Sequence, residues 1–389
     1  GICIMASEIR QKAHEIAPYI IEMREAIHRH PELSMQEFWT TDFVAGEMEK
    51  DGIPYRRIEP TGIIADIKGD HPGKTVALRA DMDALTVEEK TGLPYASEVP
   101  GMMHACGHDT HVSMLLGAAK LLAGMKDQIH GTVRLIFQPG EEVAQGAKAV
   151  IAQGGLDGVD AIFGMHTSGC TPASVIGIGW GPIQAGATLF KIKIHGKASH
   201  GSQPEAGADA TVAAAALVLN LQSIVSRELP PMEPCIVTVG KLNSGTRFNV
   251  VSGEAELEGT CRFFSPKIKK DMPHILERIA KKTAETYRCT AEVEYIPLCD
   301  INTNNEKMAD LMWEAGKKVS DSEDLMKKTT PMLGSEDFAE YSVRCPAAFA
   351  ALGSGSEYSN HSNYFYAKEE TLEVGSALYV QTALDFLNQ

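Results

Sequence analysis

The chain of 389 residues is short of positive charge: 36 Lys and Arg stand against 51 Asp and Glu, a net charge of −15. A field of that sign excludes partners chosen by bulk attraction to phosphate, so nucleic acid is not expected as a ligand. It would also repel a small anionic substrate at long range, and such a substrate would need a local cluster of Arg, Lys or His. The eight cysteines, at positions 3, 106, 170, 235, 261, 289, 299 and 345, form no C-x-x-C pair and do not have the spacing of a disulfide scaffold. They read as thiols of a cytoplasmic protein. No membrane span is expected, because the longest apolar run, ATVAAAALVLNL from Ala210, is about a dozen residues against the roughly 20 that a span needs. The opening GICIMASEIRQK has no basic region followed by a long apolar stretch, so no secretion signal is expected, and Gly1 to Ile4 ahead of Met5 read as foreign to the chain. The glycines of IGIGWGP lack a strand-to-helix context and read as a domain junction, not as a phosphate cradle.

What is present is an alternation of strands and helices in a chain long enough for two domains. Ile9, Ala13, Ile16, Ile20, Met23 and Ile27 recur at helical spacing and predict one helix over 7–29, closed by Pro31. KTVALRADMD, GTVRLIFQPGEE and VDAIFGMH read as strands, with THVSMLLGAAKLLAGMK as a helix between the first two and a short helix near 145–153. This rhythm predicts an α/β domain with a mixed, largely parallel sheet covered by helices on both faces. From about Pro182 the order changes to β-α-β-β-α-β, the ferredoxin-like (α+β) arrangement, and predicts a second domain inserted into the first. The boundaries expected are 1–181 and 297–389 for the catalytic domain and 182–296 for the insert.

Ligands of open parallel sheets bind beyond the carboxyl ends of the strands. Asp81 and Asp83 end one predicted strand, Glu141 and Glu142 follow another, His166 ends a third, and His361 lies beyond the strand-like AAFAALGSG. The run MHACGHDTH adds Cys106 and His108 just before a helix in the same layer. Two apart in an extended segment, their side chains would point the same way. Thiolate and imidazole are preferred ligands of zinc and related borderline ions. Joined by Glu142, His166 and His361 they exceed what one catalytic zinc takes, and two ions roughly 3.5 to 4 Å apart would explain the surplus. Of the Glu141–Glu142 pair, one carboxylate can hold a metal while the other stays free as general base. The plainer readings are a buried thiol beside a hydrogen-bonded histidine and a solvated acidic turn. A Cys106 thiolate nucleophile paired with a nearby His is a further alternative. His104 and His111 read as structural or supporting. Asp109 could hold the other nitrogen of a ligand histidine or cap the helix that starts there.

MREAIHRHPELSMQE, LRADMDAL, MHACGHDTHVSMLLGAA, LIFQPGEE, GMH, GKASHGSQPEAGADA and NHSNYF, in this order through nearly the whole chain, together resemble the aminoacylase and carboxypeptidase metallopeptidase family. Within it they are most similar to the branch of hippurate hydrolases and N-acyl-amino-acid amidohydrolases. The resemblance implies a dinuclear site with Cys106, His108, Glu142, His166 and His361 as ligands and Glu141 as general base. It implies Asp83 as a supporter behind the metals, His200 as the group that stabilises the oxyanion, and Asn249, Arg262 and backbone near Gly334 as the substrate-binding positions. An arginine grips a carboxylate in bidentate fashion, which would answer the charge problem raised above; the plainer reading of Arg262 is an exposed strand arginine. The activity implied is hydrolysis of the amide bond of an N-acyl amino acid, with Zn, Mn, Co or Ni as the two divalent ions and a homodimer formed through the inserted lid domain. Rival readings are a dipeptidase or carboxypeptidase, an N-acetyl-diaminopimelate deacetylase, and a metal-binding protein without turnover.

Overall fold

A computed structural model describes residues 7–389, so Cys3 and the reading of the first four residues lie outside the described residues. The chain divides into two compact units, one of residues up to Ile183, Thr303–Thr330 and Asp337–Gln389, the other of Gln184–Asn302 and Pro331–Glu336.

The first unit is built on an eight-stranded mixed sheet. At its centre His130–Gln138, His71–Asp81, Ala161–Ser168 and Ala347–Gly353 run parallel, and antiparallel strands flank them. Successive residues of these strands serve opposite faces, as a pleated strand requires. Val76, Leu78 and Ala80 enter one core with Val133, Leu135, Phe163 and Met165, whereas Ala77, Ile136 and Ile162 enter another with Phe338, Tyr341 and Phe349. Burial on both faces explains why these strands read as nearly unbroken apolar runs. The parallel order brings the loops after Asp81, Gln138, Ser168 and Gly353 to one edge.

Two helices, Glu8–Glu15 and Ala17–Arg29, stand where one was expected. The break falls at Ile16 because Pro18 has no N–H to donate and its ring crowds the carbonyl four residues back. The second of these helices docks on His108–Ala123 through a buried ionic cluster. Asp109 accepts from Arg24 Nε at 3.1 Å and from His28 Nδ1 at 2.8 Å, and His28 Nε2 donates to Glu89 at 2.7 Å. Burial alone would discharge His28, but Asp109 and Glu89 override it and raise the ring above its ordinary value. Asp109 is therefore not a helix cap; Gly107 holds the cap position, without a side-chain bond.

In the second unit Gly186–His195, Cys235–Ser244, Glu254–Phe263 and Thr290–Cys299 form an antiparallel sheet whose spatial order is second, third, first, fourth, the ferredoxin-like order. Helices Ala210–Leu221 and Pro266–Thr286 supply the rest of its core. The unit runs past the expected end at 296 because its last strand pairs with the first as far as Cys299 opposite Ala187. Residues 331–336 join it because Ala185 N–H donates to the carbonyls of Met332 and Gly334. The apolar run from Ala210 continues as helix to Glu228, which makes it long and apolar enough by length and composition to cross a membrane. Here Ala210, Ala213, Ala214, Leu217, Leu221 and Ile224 pack into the core of the unit.

Because the folded His28 titrates above 6.5, its contribution is fully present below pH 6.5 and is lost as pH rises through the folded value. His28→Gln, which removes one partner of a buried ionic cluster, should cost about 3 kcal/mol at pH 6. In denaturant unfolding the deficit should shrink as pH rises above 6.5 through the folded value; a deficit independent of pH would contradict a charged His28.

Candidate metal centre

Cys106 and His108 lie on either side of Gly107, whose φ of +83° places it in the left-handed region. A Cβ there would sit 2.2 Å from Thr167 Oγ1, so only glycine fits. This turn into the helix, and not an extended segment, aims the two side chains. His166 lies two residues before the end of the strand Ala161–Ser168, which runs past the expected end at His166, and Glu141 and Glu142 follow the Pro139–Gly140 turn. His361, itself left-handed at φ +71°, is fixed by donation from its backbone N–H to Ala105 O at 2.7 Å.

These side chains converge. The ligand atoms of Cys106, His108 and His166 lie within 4.8 Å of one another, and so do those of Cys106, Glu142 and His361. The two triads share the sulfur of Cys106. Cys106 Sγ is 3.5 Å from His166 Nε2, and Glu142 Oε1 is 3.5 Å from His361 Nε2 and 3.7 Å from His108 Nε2. Glu141 Oε2 stands 3.9 Å from His108 Nε2.

The tautomers can be read from the outer bonds. His108 Nδ1 donates to Asp83 Oδ1 at 3.1 Å and His166 Nδ1 donates to Thr167 O at 2.7 Å, which turns each Nε2, the nitrogen that would hold a metal once deprotonated, into the cluster. His108 Nε2 and Glu142 Oε1 are buried and have no hydrogen-bond partner. Leaving such acceptors unsatisfied costs about 1–3 kcal/mol each. A divalent cation between them is the group that answers both, so the donor set fits a metal.

The protonation pattern fits too. Burial opposes ionisation of Cys106, but His166 and His108 outweigh it and bring the thiol down to about 7. Burial pulls His166 down, yet the Cys106 sulfur lifts it to about 9. The neighbouring Cys106 sulfur and Glu142 carboxylate raise His361 to about 10. Protons here occupy places that cations would take. A thiolate and imidazolium pair of this kind is also what a thiol nucleophile needs, but such an enzyme has no use for the Glu142, His361 and His108 donors gathered round the same atom.

Asp83 bonds His108 and, through Oδ2, receives Glu142 N–H at 2.9 Å. His111 has both ring nitrogens engaged by the protein. Its Nε2 accepts from Thr167 N–H at 2.8 Å and its Nδ1 donates to Asp81 at 2.5 Å; burial pushes the ring down to about 4. Asp81 also receives Arg79 at 3.1 Å. His104 is buried with neither ring nitrogen bonded, and burial holds it near 4 as a neutral ring. Asp109 touches none of the ligand side chains, its bonds going to Arg24 and His28. Sequence reasoning missed Arg24 and His28, although their spacing of four on one helix face was a signal. It also missed Arg79, which donates to Gln138 and Asp337 beneath the site.

In the second unit His200 is exposed, and its Nδ1 accepts from Ser202 N–H at 3.1 Å, so its proton sits on Nε2. Asn249 O receives Gly201 N–H at 2.8 Å, next to His200, and Asn249 Oδ1 is buried without a partner. Arg262 Nη1 donates to Leu333 O at 3.4 Å and to Ser335 Oγ at 3.2 Å, either side of Gly334.

The model of peptidase family M20/M25/M40 matches residues 77–385. The thermostable carboxypeptidase 1 of Saccharolobus solfataricus is 38% identical over 99% of this chain and 100% of its own. The N-acyl-L-amino acid amidohydrolase of Geobacillus stearothermophilus is 40% identical over 74% of this chain and 78% of its own. Among solved structures, a dinuclear metal binding peptidase of Bacillus subtilis superposes with a TM-score of 0.86 at 34% identity, covering 96% of this chain and 99% of that one. The chain belongs to peptidase family M20/M25/M40.

Proposed function

We propose that this chain hydrolyses the amide bond of N-acyl amino acids, with Glu141 as general base. The coarser statement, a hydrolase of amide bonds, comes with the family. The observation that carries metal-assisted hydrolysis is the pair of donor triads sharing one sulfur, with Glu141 beside them, and the N-acyl amino acid as substrate is supported by the amidohydrolase relative. Cys106, His108 and His166 would hold one divalent ion and Cys106, Glu142 and His361 a second (Zn, Mn, Co or Ni); when bound, the ions supply Lewis-acid polarisation of a carbonyl and a more acidic water.

The residues of the chain do the rest. Glu141 takes the proton of the attacking water and passes it to the leaving amine. Asp83 keeps the His108 lone pair aimed inward and fixes the backbone at Glu142. His200, with its proton on Nε2, is a donor suited to the oxyanion of the tetrahedral species. Arg262 would bind the substrate carboxylate with Asn249 and the backbone at Gly334. Its support is that the guanidinium meets only neutral oxygens among the described residues, which leaves its charge for an anion.

A carboxypeptidase is the second reading, favoured by the Saccharolobus relative, and Arg262 would serve a peptide carboxylate equally. An N-acetyl-diaminopimelate deacetylase would use the same residues. The homodimer belongs to the same proposal: Val212, Leu219 and Val225 project exposed from one helix of the second unit. All seven cysteines among the described residues are free, which supports a cytoplasmic setting.

Glu141→Gln should keep both ions by metal analysis while kcat falls by about 10²–10⁴; full activity would remove Glu141 from the mechanism. Arg262→Ala, assayed with N-acetyl, N-benzoyl and dipeptide substrates side by side, should raise KM about tenfold or more for every substrate bearing a free carboxylate, the loss of a charged hydrogen bond. An unchanged KM would place the clamp elsewhere, and the best substrate in the panel separates amidohydrolase from peptidase.

A further inference from the structure

The segment Pro31–Glu37, part of the MREAIHRHPELSMQE motif, has no part in the chemistry above, yet it is bonded to the turn that carries the base. Its Leu33 pairs with Ala84, whose N–H donates to Glu32 O at 2.8 Å. Ser34 Oγ donates to Asp83 Oδ2 at 2.7 Å. Met35 is left-handed at φ +64°, and its sulfur lies 2.3 Å from where a Cβ on Gly140 would be. Glu37 is wholly buried. One oxygen of its carboxylate receives the N–H of Met35 at 2.9 Å and that of Gly140 at 2.8 Å, and the other receives Thr61 Oγ1 at 2.6 Å. Glu142 N–H is held by Asp83. The backbone is thus pinned at Gly140 by one buried carboxylate and at Glu142 by another, and Glu141 is the residue between.

We propose that Glu37 is a positioning residue for the general base: through Gly140 N–H and the Met35 strap it fixes the turn from which Glu141 reaches the attacking water. The proposal rests on the reading of Glu141 given above. A buried carboxylate without a cationic partner is costly to keep, and its bonds go to the strap, to the turn and to Thr61.

Glu37→Ala should retain two ions per chain and leave KM within about twofold, while kcat falls about a hundredfold, the scale of a 1 Å misplacement. Glu37→Gln should keep most of the activity, because one amide oxygen can still accept both N–H groups. Glu37→Asp, with its charge intact but withdrawn by one methylene, should lose kcat like the alanine variant and decides the matter if that variant does not fold. Unchanged kcat in Glu37→Ala or Glu37→Asp would overturn the proposal, and so would loss of metal in place of loss of kcat. Glu141→Gln in parallel separates the two readings: if it stays active, the base assignment fails and the proposal with it; if it is inactive while Glu37→Ala and Glu37→Asp are fully active, only the positioning role fails.

Discussion

Buried polar atoms converging without hydrogen-bond partners are what this site is arranged around. The sulfur of Cys106, Nε2 of His108 and Oε1 of Glu142 all face a common space, and two of the three have no partner. Such atoms are unfavourable in a protein interior unless a cation or proton joins them. The sharing of one sulfur by two triads depends on Gly107, since the turn between Cys106 and His108 needs a left-handed residue and leaves no room for a Cβ. The parallel sheet does the larger-scale work by delivering Asp81, Glu142 and His166 from strand ends, as open α/β sheets do.

Behind the donors stands a layer of buried carboxylates with divided duties. Asp83 orients His108 and holds Glu142 N–H; Asp81 engages His111 and Arg79; Asp109 engages His28 and Arg24; Glu37 holds the turn at Gly140. Each has its charge answered differently, by imidazole, guanidinium or amide N–H. Burial pushes Glu37 upward, whereas the His108 ring outweighs burial at Asp83 and draws it down. A net charge of −15 is compatible with this interior because the buried cations Arg24 and Arg79 are paired locally.

Much of this was legible in the chain. Helix and strand periodicity was enough for the alternating first unit and the ferredoxin-like order of the second, because each buried face repeats in sequence. The residues implied as ligands by the resemblance fall within 4.8 Å in the two triads. What could not be read was long-range or conformational. Asp109 has its partners 81 and 85 residues away, so nothing local distinguishes it from a cap. The left-handed turn at Gly107 looks like any Cys-x-His until the helix start is placed. Residues 331–336 belong with the second unit through backbone bonds to Ala185, which leave no side-chain pattern. The break at Ile16 was readable from Pro18, but helical apolar spacing continues across it and masks it.

The central proposal is that Cys106, common to both donor triads, would help to hold each of two metal ions. Titration of the metal-free protein with Co²⁺, followed by thiolate-to-cobalt charge-transfer absorption and by metal content, tests it directly, since thiolate is the soft donor in the set. The account predicts binding of two ions per chain, with the charge-transfer band growing through both equivalents and absent from Cys106→Ser. Saturation at one ion, or a band that survives the loss of Cys106, would contradict it.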